Sequence, residues 1–329
     1  MLRKNYQGTH NLSFHFLSGL IIGVIVSLQS LPVFSQDLDP RAYARVPLKT
    51  TTLITGFSYS QGGVVTDPTL PVKNIDAKVE AVSAGISRSF KFLGLSSSAL
   101  LVLPYSWAQV SGEVGNQQSS ITRSGLADMR MRFSVLLFGA PPVTWEEAIK
   151  NAKAKRKTIV GASINVVAPS GEFIKGKLVN LGANRWAFRP EIGISQPVGK
   201  RFLVDFYSGL WLFTNNSSFY PGTSVRRQDP MFAFQWHISY NIRPVLWVAV
   251  NATYYVGGQS SIDKELKDDR QSNARIGFTA VVPTGRLSSL RFSANTGAVV
   301  RIGQDFTTLS LGWQKSWIGI HKMKPAPPQ

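Results

Sequence analysis

From residue 130 onward, arginine, amide and aromatic side chains recur at alternate positions, a pattern with chemical consequences. One face would carry Arg130, Arg132, Arg189, Glu191, Asp205, Tyr207, Trp211 and Gln235. It continues through His237, Trp247, Asn251, Tyr255, Asn273, Arg275, Arg291 and Asn295. Five arginines stand against two acids in this set. Arginine rings in pores favour anions, while Trp and Tyr faces stack on aromatic rings and hold cations. A lumen with both suits small aromatic acids, benzoate-like compounds among them. The competing reading is structural: Arg–Glu and Arg–Asp pairs that fill and stiffen a narrow interior.

Catalysis fits the sequence poorly. The chain has no cysteine, so it has no thiolate metal ligand, thiol nucleophile or disulfide. A barrel enzyme that cuts lipids with a Ser–His pair would need a histidine beside a lipid-facing serine. His10 and His15 lie in the N-terminal leader, and His321 lies beyond the last strand-like segment. His237 alternates with Phe234, Trp236 and Ile238 and so points away from lipid. It reads as a satisfied polar residue. Glu191 and Asp205 lie on different segments, so a carboxylate pair rests on spacing the sequence does not give. No zinc spacing, P-loop or dinucleotide glycine pattern occurs. The expectation is no catalytic residue, no metal and no cofactor.

The elements that must position these side chains are strands. Phe232, Phe234, Trp236, Ile238 and Tyr240 fall on one face, with Ala233, Gln235, His237 and Ser239 on the other. Residues 246–256, 274–282 and 308–314 repeat the alternation. Twelve segments emerge: 48–60, 77–91, 97–110, 124–139, 157–168, 184–196, 200–213, 228–241, 245–256, 271–283, 288–298 and 305–317. Tight connections such as Leu93-Gly94 and Pro283-Thr284-Gly285-Arg286 alternate with long polar ones at 61–76, 111–123, 169–183, 214–227 and 257–270. Only the link 299–304 is short where a long one is due. The rhythm predicts an all-β fold, a transmembrane antiparallel up-and-down barrel of about twelve strands with both termini in the periplasm. A closed barrel pairs every backbone group inside the bilayer and leaves no free edge. The link 140–156 holds a capping box, Thr144 with Glu147, which predicts a short helix over 144–150 in a periplasmic connection. Lys150, Lys153, Lys155, Arg156 and Lys157 follow it, either as an amphipathic surface on anionic headgroups or as a solvated basic turn. The loop 214–227 either constricts the lumen or lies outside on lipopolysaccharide.

Composition agrees. The chain of 329 residues has 36 Lys and Arg against 18 Asp and Glu, a formal charge of +18. Charged residues make only 16% and hydrophobic residues 43%, against roughly 25% charged in an average soluble domain. Disorder is excluded by this composition. The basic residues are scattered over turns, lumen and tail, which argues against nucleic acid as a partner. Arg3 and Lys4 precede an apolar run from Phe14 to Val26, and Val33-Phe34-Ser35 offers a cleavage site before Gln36. Residues 1–35 read as a secretory signal peptide, residues 36–317 as the barrel, and residues 318–329 as a Pro/Lys-rich tail. The mature chain would carry about +16.

Longer motifs carry a resemblance. They include Pro169-Ser170-Gly171-Glu172-Phe173, Lys177-Leu178-Val179-Asn180-Leu181-Gly182-Ala183-Asn184-Arg185-Trp186-Ala187-Phe188-Arg189-Pro190-Glu191-Ile192-Gly193 and Trp211-Leu212-Phe213-Thr214-Asn215-Asn216. Arg227-Gln228-Asp229-Pro230, Tyr254-Tyr255-Val256-Gly257-Gly258, Asn273-Ala274-Arg275-Ile276-Gly277 and Arg301-Ile302-Gly303-Gln304-Asp305-Phe306 follow in order. With the opening Asp39-Pro40-Arg41-Ala42-Tyr43, the chain resembles the outer-membrane β-barrels named after the MetA pathway of phenol degradation. The match covers most of residues 37–317. The resemblance implies a bacterial outer-membrane location, contact with outer-membrane lipids and lipopolysaccharide, and help from the barrel-insertion machinery. It implies passage of small molecules linked to aromatic catabolism. The family's barrels end on an aromatic residue, which Trp317 supplies before the extra tail. The alternatives are a structural barrel with a blocked lumen and, less well supported, a lipid-modifying enzyme.

Overall fold

The computed structural model describes residues 38–65, 72–114, 117–151, 154–177, 179–220, 222–243 and 245–319. The expected signal peptide and the tail from residue 320 onward lie outside them. The strands in chain order are β1 (Thr50–Val65), β2 (Val72–Phe92), β3 (Leu95–Val114), β4 (Gln117–Leu126), β5 (Arg130–Phe138) and, after the helix α1 (Trp145–Lys150), β6 (Ile159–Val167). Then come β7 (Ala187–Val198), β8 (Phe202–Phe213), β9 (Asn216–Phe219), β10 (Ser224–Gln228), β11 (Met231–Asn241) and β12 (Trp247–Gly257). The last are β13 (Ser260–Ile262), β14 (Glu265–Leu266), β15 (Gln271–Gly285), β16 (Ser288–Val299) and β17 (Gly303–Ile318).

The wall runs β2-β1-β17-β16-β15-β12-β11-β8-β7-β6-β5-β3, and β3 returns to β2 to close the cylinder. Every pairing is antiparallel. The first and last strands lie side by side, with Thr50 opposite Ile318 and Gly63 opposite Asp305. The lower half of β3 pairs with β5 and its upper half with β4, so those two strands share one place in the wall. The barrel is therefore twelve strands wide, and each of the twelve expected segments overlaps one of its strands.

The expected strand 124–139 breaks at residues 127–129. There the β6–β7 loop replaces the neighbouring strand as a hydrogen-bond partner. The Asp128 carboxylate accepts the N–H groups of Gly171 (2.9 Å) and Ala183 (2.8 Å). Leu126 and Met129 give their carbonyls to Glu172 and Ala168. β2 and β3, at 21 and 20 residues, outrun the roughly 9–11 residues a tilted strand needs to cross a bilayer, and they do so at the long-loop end.

Alternation along the strands sorts the side chains. Outward positions are large and apolar: Ile86, Ile238 and Val250 are 51%, 54% and 64% exposed. Inward positions are small or polar, as with the buried Ser58, Ser83, Ser87, Ser163 and Ser195. Such an outside belongs against lipid. The tight rim holds both ends of the sheet and the short turns. Leu93 and Gly94 make one turn with φ of 47° and 82°, as a two-residue hairpin with positive φ at both central positions requires. The same rim carries α1, where Thr144 Oγ1 accepts the Glu147 N–H (3.3 Å) and Glu147 Oε2 accepts the Thr144 N–H (2.7 Å). The expected capping box is present. The link 300–302 at the other rim is short, as the sequence implied.

Loop 214–227 becomes β9 and β10, which join β13 and β14 in a separate four-stranded sheet at the long-loop end. Asn216 is buried and ties this sheet to the β6–β7 loop through Asn184 (2.9 Å) and the Ala183 carbonyl (3.2 Å). A cavity of about 140 Å³ separates the two.

Candidate functional site: a septum in the lumen

Most of the polar side chains that alternation assigns to the inner face are buried in the structure. Arg132, Arg189, Glu191, Asp205, Tyr207, Gln235, His237, Trp247, Asn251, Tyr255, Asn273, Arg275 and Asn295 are buried, and Trp211 and Arg291 are partly so. Arg130 is exposed at the upper end of β5. What the alternation did not reveal is the partner that many of them hold. Residues 38–48, just before β1, enter the barrel and cross its lumen. Asp39, Arg41, Ala42 and Tyr43 are at most 5% exposed.

The septum is anchored to the wall at several residues. Asp39 lies between Arg132 of β5 (3.4 Å) and Arg291 of β16 (3.3 Å). Arg291 also donates to the Leu38 carbonyl (3.3 Å). The Arg41 amide donates to Asp205 Oδ2 (3.2 Å), while its guanidinium donates to Asn241 (2.9 Å) and covers Trp247 at 4.2 Å. The Ala42 amide donates to the Tyr207 hydroxyl (3.1 Å). Further along, the Leu48 amide donates to the Val143 carbonyl (2.8 Å), which ties the septum to the link carrying α1.

Tyr43 is the centre of the arrangement. Its ring meets Tyr207 edge-on at 5.1 Å and lies beneath the Arg132 guanidinium at 5.1 Å. Its hydroxyl donates to Glu191 Oε1 (2.9 Å) and lies 3.0 Å from Ser163 Oγ. Gly161 and Gly193 leave the room it needs, since a Cβ on either would stand 2.3 Å from the ring. Glu191 also pairs with Arg132 (3.2 Å) and Arg189 (3.3 Å) and accepts from Gln235 (3.2 Å). A phenol ring is thus held by a cation, an aromatic edge and a carboxylate, with its hydroxyl satisfied by Glu191 and Ser163.

The other inward side chains do different work. Arg189 covers Trp211 at 5.0 Å, and Trp211 packs with Phe213 on Met231, Ala233 and Tyr255. His237 Nδ1 meets Asn251 at 2.9 Å, and Asn251 donates to Thr279 (3.0 Å). This buried position keeps His237 from any lipid-face serine. Arg275 reaches Asn295 (2.8 Å) and the Phe306 carbonyl (2.6 Å), and Asn273 reaches the Ile302 carbonyl (2.7 Å). Those two brace the wall beside β17 and do not touch residues 38–48.

The septum divides the interior. Above it, a cavity of about 60 Å³ is bordered by Asp39, Ala42, Arg130, Arg189 and Trp211. Below it, at the tight rim, lies a vestibule of about 850 Å³ roofed by Arg41 and Tyr43. Eight cations line this vestibule: Arg41, Arg45, Lys155, Arg156, Lys157, Lys200, Arg201 and Arg243. No Asp or Glu is among its described lining residues. Lys155, Arg156 and Lys157 of the basic run therefore border the mouth, beyond the end of the helix at Lys150. Burial lowers the guanidinium pKa of Arg45 and Arg156 from its ordinary range, the sign expected of cations desolvated without a compensating acid.

Two local signals for this arrangement are present in the sequence, and alternation could not combine them. Asp39-Pro40-Arg41-Ala42-Tyr43 packs charge and an aromatic ring into the stretch before the first strand, and glycines stand at the inward positions 161 and 193.

Comparison with known proteins follows from this geometry. A family model described as "Putative MetA-pathway of phenol degradation" matches residues 56–313. No curated protein matches in sequence. Among solved structures, an outer membrane channel from Pseudomonas putida F1 is similar, with a TM-score of 0.72 and 17% identity over 87% of this chain and 100% of that one. The beta domain of a Bordetella autotransporter gives a TM-score of 0.49 at 12% identity, over 82% and 100%. The fold is that of an outer-membrane β-barrel.

Proposed function

The chain belongs to the family of the MetA pathway of phenol degradation, and from that premise we propose that it is an outer-membrane channel for small aromatic solutes, anionic ones included, closed at rest by its own residues 38–48. The observation that carries this reading is the seat of Tyr43. The barrel already binds a phenol ring at mid-lumen, between Arg132, Tyr207 and Glu191, and that ring belongs to the chain itself. A seat of this kind accepts a free phenolic solute once Tyr43 leaves it. The septum is held by ion pairs, hydrogen bonds and packing, with no covalent tie, so its release is an equilibrium that a solute can shift. Arg130, Arg189 and Trp211 border the path above the seat.

A second reading, a structural barrel without transport, is favoured by the complete burial of Tyr43. One experiment separates the two. Protein reconstituted in liposomes is assayed for swelling in phenol and benzoate and for ion conductance. A channel gives solute-dependent swelling that rises when residues 38–47 are deleted. No swelling and no conductance from either protein sinks the channel reading.

A further inference from the structure

The vestibule below the septum has a composition that the closed lumen does not explain. It is concave, its volume of about 850 Å³ lies in the roughly 300–1,000 Å³ range of small-molecule sites, and its charge is of one sign. Two of its cations, Arg45 and Arg156, are held with no acidic partner among the described residues. Arg45 donates to the Gly139 carbonyl (3.1 Å), and Arg156 donates to the carbonyls of Lys200 (2.9 Å) and Phe202 (3.2 Å). Neutral carbonyls fix these guanidinium groups in place and leave their charge uncompensated. Phe138, Ile159 and Leu203 supply apolar wall between them.

Fixed, under-compensated arginines attract anions, and apolar wall beside them takes a ring or short hydrocarbon body. We infer that the vestibule is a binding site for small aromatic carboxylates, distinct from the Tyr43 seat and on the periplasmic side of the septum. The carboxylate lies against Arg45 and Arg156, and the ring lies against Ile159 and Leu203. An inorganic anion would find the same arginines but no use for the apolar wall. This inference rests on the proposed channel function for its biological sense. Its test does not depend on transport.

Binding is measured by titration calorimetry on the full barrel in nanodiscs of zwitterionic lipid, at low ionic strength, with benzoate, benzamide and inorganic phosphate as probes. Benzoate should bind at least tenfold more tightly than either of the other two. Its affinity should fall as salt is raised. The double variant Arg45→Gln, Arg156→Gln should weaken benzoate about tenfold or more, as expected for charge-assisted contacts. The double variant Arg45→Lys, Arg156→Lys should recover most of the loss. A charge-matched control, Lys78→Gln with Lys264→Gln at the other rim, should bind benzoate as the parent does. Equal binding of benzamide removes the anion half of the inference, and equal binding of phosphate removes the aromatic half. A glutamine variant that still resists heat unfolding and binds benzoate unchanged overturns the site. Failed swelling with intact benzoate binding would count against the channel, and the reverse result would count against the vestibule alone.

Discussion

Replacing Tyr43 by alanine tests the septum directly. The ring is fully buried, and its hydroxyl donates to a carboxylate that two arginines hold in place. Truncating a buried aromatic side chain costs about 3–5 kcal/mol. Its hydrogen bond to a charged group is part of that cost, about 1.5–3 kcal/mol. At about 1.4 kcal/mol per decade, the balance between seated and released septum should move by roughly two to three and a half decades. Hydrogen exchange reads this balance at two amides, because the Arg41 N–H donates to Asp205 and the Ala42 N–H donates to Tyr207. Both should exchange about a hundredfold faster or more in Tyr43→Ala, while amides in the β11–β12 ladder keep their rates. Tyr43→Phe keeps the ring and loses only the hydroxyl, so it should gain roughly tenfold to a hundredfold. Adding p-cresol to Tyr43→Ala should slow both amides again, and toluene should do so less, because only the phenol restores the bond to Glu191. An acceleration of less than tenfold in Tyr43→Ala would refute the argument that this residue holds the septum. Equal rescue by toluene would refute the argument that the seat reads a hydroxyl.

Other perturbations separate septum from wall. Gly193→Ala places a methyl group 2.3 Å from the Tyr43 ring and 2.6 Å from Tyr207, so it should speed Ala42 exchange and raise conductance with residues 38–48 unaltered. Arg291→Gln removes one of two cations from Asp39 and should speed Ala42 exchange by about tenfold or more, at about 1.5–3 kcal/mol for a charged hydrogen bond. Arg275→Gln, which loses contacts to Asn295 and Phe306, should lower the unfolding temperature and leave Ala42 exchange unchanged. Asp263 accepts the Val225 N–H (2.8 Å), and this backbone bond with Ser224 holds its carboxyl below the ordinary range. A depressed carboxyl gives stability that is present above its unfolded value and lost as pH falls through the lowered one. The Val225 amide resonance should therefore move as the solution is acidified below about pH 4, and Asp263→Asn should abolish the movement.

The barrel was legible because bilayer physics leaves a strong trace in sequence. Period-two alternation, a capping box at Thr144 and Glu147, and the rhythm of short and long links are local signals, and each is set by residues within a few positions of one another. The break at Asp128 left no such trace, because the carboxylate serves amides 43 and 55 residues away in a loop. The septum was hidden for the same reason. Alternation assigns a side chain to the inner face but says nothing about what that face touches. Asp39 meets arginines 93 and 252 residues distant, and Tyr43 meets Glu191 across 148 residues. On the proposed channel reading, the two readings weighed for the interior, a solute path and a structural filling, become two states of one set of residues. With Tyr43 seated, Arg132, Glu191 and Tyr207 fill the barrel. With Tyr43 released, as the proposal requires, the same three groups would form an unfilled phenol seat. The vestibule then has a defined place in the sequence of events. A solute anion gathered there, as inferred above, would lie directly beneath Arg41 and Tyr43, the two side chains that would have to move for the lumen to open.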